Sequence, residues 1–409
     1  MRQPVPKPCR MSDEPFILDE NDRYSRFRLI AWWDQNTLAT ARIMVVGAGA
    51  LGNEVLKNLA LMGIGEIHLI DFDHIEESNL TRAVLFRQRD CGRSKAEAAA
   101  DSLRDMNPDV RVHPRVANVV TQIGLGLFRD VDVVIGCLDN REARLWVNRS
   151  CWRVGTPWID GGIQEINGVV KVFVPPDGPC YECGMTENDY RLINLRYSCP
   201  LLRQEDIQSG KVPTSPTIAA MVGGLQTQEA LKLLHGLPVE SGAALIYNGM
   251  ANTFYTTRFQ RCEECLSHES YPEPLALPLG AASHSAAELL QAVCQLRRFP
   301  VASSRIELDR DLVTSIECEP CGTSRMVMRA REEVGHRETI CENCGQVARP
   351  RIEHEVNAGS PLAKAKLVEL GIPPYDIVRI VSGTAEQLVL LAGDAPAGAP
   401  PTVGGGAGS

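Results

Sequence analysis

The chain has 409 residues, 44% hydrophobic and 23% charged, which excludes a disordered polymer and is enough for two or three domains with sizeable cores. Its 42 Lys and Arg against 51 Asp and Glu give a formal charge of −9, which argues against broad binding to nucleic acid or anionic membranes. No apolar run approaches the roughly 18 residues of a spanning helix, and Met1 to Pro8 lacks an apolar signal core, so the expectation is a cytoplasmic protein.

In chain order, residues 1–22 carry Pro and charge and read as a flexible leader. Arg23 to Trp33 reads as an amphipathic helix with Asp22 as its cap. An α/β alternation follows. Strands are expected at Ile43–Val46, Ile67–Ile70 and Val131–Ile135, and helices at Glu54–Met62, Lys95–Met106 and Glu142–Val154. Asn107-Pro108 ends the second of these helices. Such alternation implies a doubly wound, Rossmann-like, mostly parallel α/β sheet covered on both faces. Past Gly162 the pattern changes to strands at Val169–Val174 and Ala243–Tyr247, with a helix over Thr217–Leu234 between them. Residues 271–304, rich in Pro, Leu and Ala, read as a linker with a helical segment. A small C-terminal module spans 305–394, and its last part, Leu367 to Gly393, reads as a short helix and two strands around Gly383. The uncharged stretch 395–409 cannot bury enough surface to fold and reads as a disordered tail.

Fourteen cysteines are many for a reducing compartment, where disulfides are not expected. Eight form four C-x-x-C pairs, Cys180/Cys183, Cys262/Cys265, Cys318/Cys321 and Cys341/Cys344, which predicts two tetrahedral thiolate Zn²⁺ sites. The last two pairs have the spacing of a zinc ribbon, and Gly322 and Gly345 follow them where a knuckle must turn. Arg325, Arg329, Arg331, Arg337, Arg349 and Arg351 surround this ribbon. Glu332, Glu333, Glu338 and Glu342 are interleaved with them, so a docking or stabilising role is preferred to nucleic-acid binding.

After the first strand, Gly47-Ala48-Gly49-Ala50-Leu51-Gly52 places glycines where a tight turn opens a helix and phosphates can sit on its N-terminus. Asp71 ends the second strand, where an acid binds ribose hydroxyls. Alone, these features fit a nicotinamide enzyme equally well. Arg82, Lys95 and Asp139, at strand and helix ends on the same edge, change the reading. Taken singly each could be a solvated charge. As a set, two cations beside an acid suit ATP with Mg²⁺, the cations on phosphate oxygens and Asp139 on the metal.

The ordered motifs Arg23-Tyr24-Ser25-Arg26, Gly47–Gly52, Asp71-Phe72-Asp73, Ser78-Asn79-Leu80-Thr81-Arg82, Gly92-Arg93-Ser94-Lys95 and Cys137-Leu138-Asp139-Asn140 resemble the ubiquitin-activating-type (ThiF/MoeB-type) adenylating enzymes. That superfamily includes the sulfur-carrier adenylyltransferases of thiamine and molybdopterin biosynthesis. The resemblance covers roughly residues 23–270 and makes them an adenylation domain. It implies ATP-dependent adenylation of the C-terminal glycine of a ubiquitin-like protein by a homodimer. On it, Gly47, Gly49, Gly52, Asp71 and Asp73 would serve the nucleotide, Asn79, Arg82 and Lys95 the phosphates, and Asp139 the Mg²⁺. Arg26 would reach the partner subunit's ATP. The first two C-x-x-C pairs would form one structural zinc site. Two departures are the absence of the family's frequent Gln after Arg26 and after Arg82, where Phe27 and Ala83 stand.

Cys199, in Arg196-Tyr197-Ser198-Cys199-Pro200, occupies the region that carries the acyl-accepting cysteine in this superfamily, and Arg196 and Arg203 favour its thiolate. It would hold a thioester before transfer to a conjugating enzyme. The plainer alternative is an idle cysteine. Cys137 and Cys151 fit core positions. The competing function is a sulfur-carrier adenylyltransferase, which shares the adenylation and differs in the fate of the acyl adenylate. A nicotinamide oxidoreductase and a non-catalytic scaffold are the remaining alternatives.

Overall fold

The computed structural model describes residues 19, 21–191, 213–397 and 399. Eight strands form the first sheet: β1 (Arg42–Val46), β2 (Glu66–Ile70), β3 (Arg111–Arg115), β4 (Val133–Gly136), β5 (Trp158–Gln164), β6 (Asn167–Phe173), β7 (Ala243–Asn248) and β8 (Thr253–Arg258). Their order is β3-β2-β1-β4-β5-β6-β7-β8. The pairings from β3 through β5 are parallel and those from β5 through β8 antiparallel. The order reverses between β1 and β4, the position where open α/β sheets leave a crevice at the carboxyl ends of their strands.

Period-two alternation buries both faces of this sheet. Ile43, Val45, Ile67, Leu69, Val133 and Ile135 pack with Val55, Leu56 and Leu59 of helix α2 (Ala50–Met62) and with Leu103. Met44, Val46, Ile70 and Val134 face the other way, onto Phe128, Val147, Trp152 and Trp158. Helix α1 (Gln35–Thr40) precedes β1 and is capped by Asp34. Helix α3 (Lys95–Met106) is capped by Ser94, and α4 (Leu125–Arg129) lies on the second face. Helix α5 (Arg141–Val154) is capped by Asn140, whose side chain accepts the Ala143 N–H at 2.8 Å. Helix α6 (Pro216–Leu234) returns over the first face, with Pro216 in its first turn.

The second unit is a six-stranded sheet of order β11-β10-β13-β14-β9, with β12 also on β10. Its strands are β9 (Leu275–Leu277), β10 (Ser304–Glu317), β11 (Ser324–Ala330), β12 (Arg349–Asn357), β13 (Ile377–Ser382) and β14 (Ala385–Leu391). Helix α7 (Ala286–Arg297) covers it through Leu289, Leu290 and Val293. The expected two strands around Gly383 are the β13–β14 hairpin, with Gly383 at φ +61°, while the helix before them is one 3-10 turn, Leu367–Leu370. Two expectations differ more. The stretch 271–304 does hold a helix, α7, but it is built into the second unit and does not merely link: β9 pairs in parallel with β14 and α7 fills the second core. The expected helix from Arg23 to Trp33 is only a 3-10 turn, Ser25–Leu29, because the chain folds back to stack Phe27 on Trp33 at 4.4 Å.

Candidate functional site

The glycine-rich turn is shaped by close approach. Gly47 sits at φ +100°, and a Cβ there would lie 2.4 Å from the Cys137 carbonyl oxygen. A Cβ on Gly52 would lie 1.9 Å from the Gly47 carbonyl oxygen, whereas one on Gly49 would meet open space. The ends of β1 and β4 therefore touch, and the turn stays open on the side from which a phosphate can approach the start of α2. Asp71 follows β2. Its Oδ2 accepts the Ala48 N–H at 2.6 Å and its Oδ1 the Asp73 N–H at 2.8 Å. Burial pushes its carboxyl up from the ordinary value, against those two N–H bonds and the charge of Lys95. Lys95 opens α3, its Nζ 2.7 Å from Asp73 Oδ2.

Arg82 donates to the Ser78 carbonyl at 3.0 Å, and Asn79 accepts the Glu76 N–H at 3.0 Å. Buried Asn53, which the sequence did not single out, joins this loop to the turn. Its Nδ2 donates to the Ala48 and Gly49 carbonyls at 2.7 and 3.0 Å, and its Oδ1 accepts the Leu85 N–H at 2.8 Å. Asp139 is exposed beyond β4 and accepts from Asn140 Nδ2 at 3.1 Å. An exposed carboxylate beside a turn open to phosphate is a hard oxygen donor suited to Mg²⁺. Arg26 is exposed on the Ser25–Leu29 turn. Cys199, Arg196 and Arg203 lie outside the described residues. Cys137 and Cys151 are poor nucleophiles, because burial pushes both thiols far up.

The two cysteine clusters are present, with one change of membership. Cys180, Cys183 and Cys265 gather with His268, their ligand atoms all within 4.8 Å of one another. Cys180 Sγ lies 3.7 Å from Cys183 Sγ and 3.6 Å from Cys265 Sγ, and His268 Nε2 lies 3.4 Å from Cys183 Sγ. Cys262, the expected fourth member, is exposed and reaches the group only through its backbone N–H, 3.4 Å from Cys183 Sγ. His268 takes the place because its ring is stacked on Trp152 at 4.8 Å. Within the first knuckle, buried Glu182 is bonded by Arg149 at 2.5 Å, by Tyr190 at 2.7 Å and by Ser267. Burial works to raise its carboxyl, but those three partners outweigh it and hold it low.

Cys318, Cys321, Cys341 and Cys344 form the second group, also within 4.8 Å. Its two knuckles are built alike. Gly322 and Gly345 take φ +71° and +72°, and their N–H groups donate to the Cys318 and Cys341 carbonyls, each at 2.8 Å. Bonds from Thr323 lower the Cys321 thiol, whereas burial raises that of its neighbour Cys318. Soft sulfur with at most one imidazole suits zinc, and four protein ligands leave no open position. Four of the six surrounding arginines are paired with acids: Arg329 with Glu338, Arg349 with Glu319 at 2.8 Å, Arg351 with Glu353 at 3.3 Å and Arg331 with Asp311 at 3.4 Å.

The sequence profile of the ThiF family matches residues 22–269. The SAMP-activating enzyme E1 of Haloferax volcanii is 34% identical over 255 residues, covering 60% of this chain and 87% of that protein. Adenylyltransferase and sulfurtransferase MOCS3 of Drosophila yakuba is 29% identical over 255 residues, covering 60% of this chain and 54% of that protein, so the chain spans about half of that relative's length. A crystal structure of E. coli MccB with AMPCPP and MccA superposes with a TM-score of 0.51 at 27% identity, over 61% of this chain and 75% of that one.

Proposed function

This chain belongs to the ThiF family, and on that premise we propose that it adenylates the C-terminal glycine of a ubiquitin-like protein and passes the acyl group to Cys199. It is an ATP-dependent adenylyltransferase. The carrier's carboxylate oxygen bonds to the α-phosphorus of ATP as the bond to pyrophosphate breaks, giving an acyl adenylate. The Cys199 thiolate then bonds to the acyl carbon, AMP leaves, and a conjugating enzyme's cysteine receives the acyl group.

The observation that carries the reading is the strand edge where the open glycine turn, Asp71, Asp73 and Lys95 are bonded into one unit against the end of β4. Asp71 serves the ribose, and Asn79, Arg82 and Lys95 hold phosphate oxygens. Preorganised charge at the α-phosphate is the main source of rate. Asp139 holds Mg²⁺, which supplies charge neutralisation on the phosphates. Arg26 completes the partner subunit's site in a homodimer. Zinc at the two clusters is structural. The adenylation domain spans 23–270, and no helix among the described residues is long and apolar enough to cross a membrane.

The name of the Drosophila relative supports a second reading, in which a sulfur donor and not Cys199 receives the acyl group. Intact-mass analysis without reductant separates them, using Mg-ATP and a ubiquitin-fold protein ending in glycine. A thiol-sensitive adduct on wild type and none on Cys199→Ala is the expected result. Pyrophosphate release with no adduct on either protein would contradict the thioester and favour sulfur transfer.

A further inference from the structure

Arg144 lies in α5 and its guanidinium faces the carboxyl end of β4 and the middle of the adjacent β5. Its Nε donates to Asp160 Oδ1 at 2.9 Å, and one terminal nitrogen donates to the Leu138 carbonyl at 2.6 Å and the Gly161 carbonyl at 3.0 Å. Asp160 is wholly buried in β5, and its other oxygen lies 3.2 Å from Lys171 Nζ. Buried Gln226 of α6 supports the same edge from behind, donating to the Gly136 carbonyl at 2.9 Å. The short turn from Gly136 to Asn140 is therefore held at residue 136 by Gln226, at 138 by Arg144 and at 140 by the cap of α5. Asp139 is the exposed residue between the last two holds.

We propose that Arg144 is a positioning residue for Asp139, its guanidinium locked on Asp160 so that the Leu138 carbonyl fixes the turn that presents the carboxylate to the metal of Mg-ATP. This rests on the reading of Asp139 given above. One guanidinium reaches three acceptors in a fork, which a lysine ammonium on a flexible stem cannot reproduce. Burial acts to lower the Arg144 pKa, and the Asp160 charge, with a smaller contribution from Asp139, reverses it. The group thus stays charged and also attracts Asp139. Removing an outer partner that orients a metal ligand typically costs about 10-fold or more in metal affinity.

The test is calorimetric titration of the full-length protein with ATP plus Mg²⁺ and with ATP plus EDTA. The quantity read is the affinity advantage that the metal confers. Asp139→Asn is expected to collapse it. Arg144→Lys is expected to reduce it by about 10-fold while leaving metal-free ATP affinity and the melting temperature near wild type. Asp160→Asn, which loosens the guanidinium without removing it, is expected to fall between Arg144→Lys and wild type and gives a second reading should Arg144→Lys fold poorly. Lys171→Gln alters the charge on Asp160 without touching the turn and is expected to keep the full advantage. An unchanged advantage in Arg144→Lys beside a collapse in Asp139→Asn would overturn the positioning role, as would an equal loss in Lys171→Gln. An unchanged advantage in Asp139→Asn would instead overturn the metal-holding reading beneath it.

Discussion

His68 and His113 face each other across β2 and β3, their rings stacked at 5.0 Å. Glu66 Oε1 lies 3.0 and 3.2 Å from their Nε2 atoms, and Arg42 and Arg111 lie within ion-pair reach of the same carboxylate. Burial drives the His68 pKa from 6.5 down to about 4; Glu66 resists the shift, while His113, Arg115 and Arg42 add to it. The unfolded chain takes up that proton near 6.5 and the folded chain only near 4, so between these values the unfolded state binds more protons. The contribution is complete above 6.5 and falls as pH falls toward 4, with a slope of up to about 1.4 kcal/mol per pH unit. Urea unfolding at pH 7 and pH 5 checks this. The stability loss on acidification should shrink in His68→Gln, and an undiminished loss would place the acid sensitivity elsewhere.

At the scale of elements, what the sequence revealed was what is local. Gly47, Gly49 and Gly52 were legible because a tight turn into a helix needs small residues at fixed spacing. Gly322 and Gly345 were legible because each knuckle closes within five residues or so. Asn53 was not, since its three bonds reach two segments that only the fold brings together. Nor was β9, three residues long, whose identity depends on pairing with distant β14. His268 was missed for a similar reason: its place among Cys180, Cys183 and Cys265 depends on stacking against Trp152, which no spacing rule encodes. The clusters predict separable metals. Metal analysis should find two zinc ions per chain, with Cys180→Ser and Cys318→Ser each losing one. Loss of the second should leave ATP binding intact, because Cys318 and Cys341 pack in a small core of their own with Val313, Ile316 and Ala348. A single zinc in the wild type would contradict a metal role for one cluster.

At the scale of the whole molecule, a charged joint and the apolar packing of Leu125 on Tyr375, Ile377, Leu388 and Leu390 link the two units. Arg310 of β10 is 5% exposed and Asp376, beside β13, 3% exposed, 3.0 Å apart. Arg310 also donates to the Val120 and Ile123 carbonyls and lies over the Trp146 ring of α5 at 4.4 Å, while Asp376 accepts the Leu125 N–H of α4 at 2.7 Å. Tyr375 donates to Asp130 at 2.6 Å, and its backbone packs where a Cβ on Gly124 or Gly126 would clash. The C-terminal unit is therefore fastened to the helices of the second sheet face. Arg310→Ala leaves a carboxylate buried without its cation, so unfolding should cost about 3–5 kcal/mol less, read by urea denaturation. A loss below about 1 kcal/mol would mean that this pair is worth no more than a surface ion pair and does not fasten the two units. Most direct for the assembled protein is isotope exchange between ATP and pyrophosphate, with Mg²⁺ and a ubiquitin-fold protein ending in glycine. The account predicts exchange that needs the carrier's terminal glycine and falls at least about 100-fold in Asp139→Ala. Exchange undiminished in Asp139→Ala, or equal with a carrier lacking that glycine, would contradict adenylation at this edge.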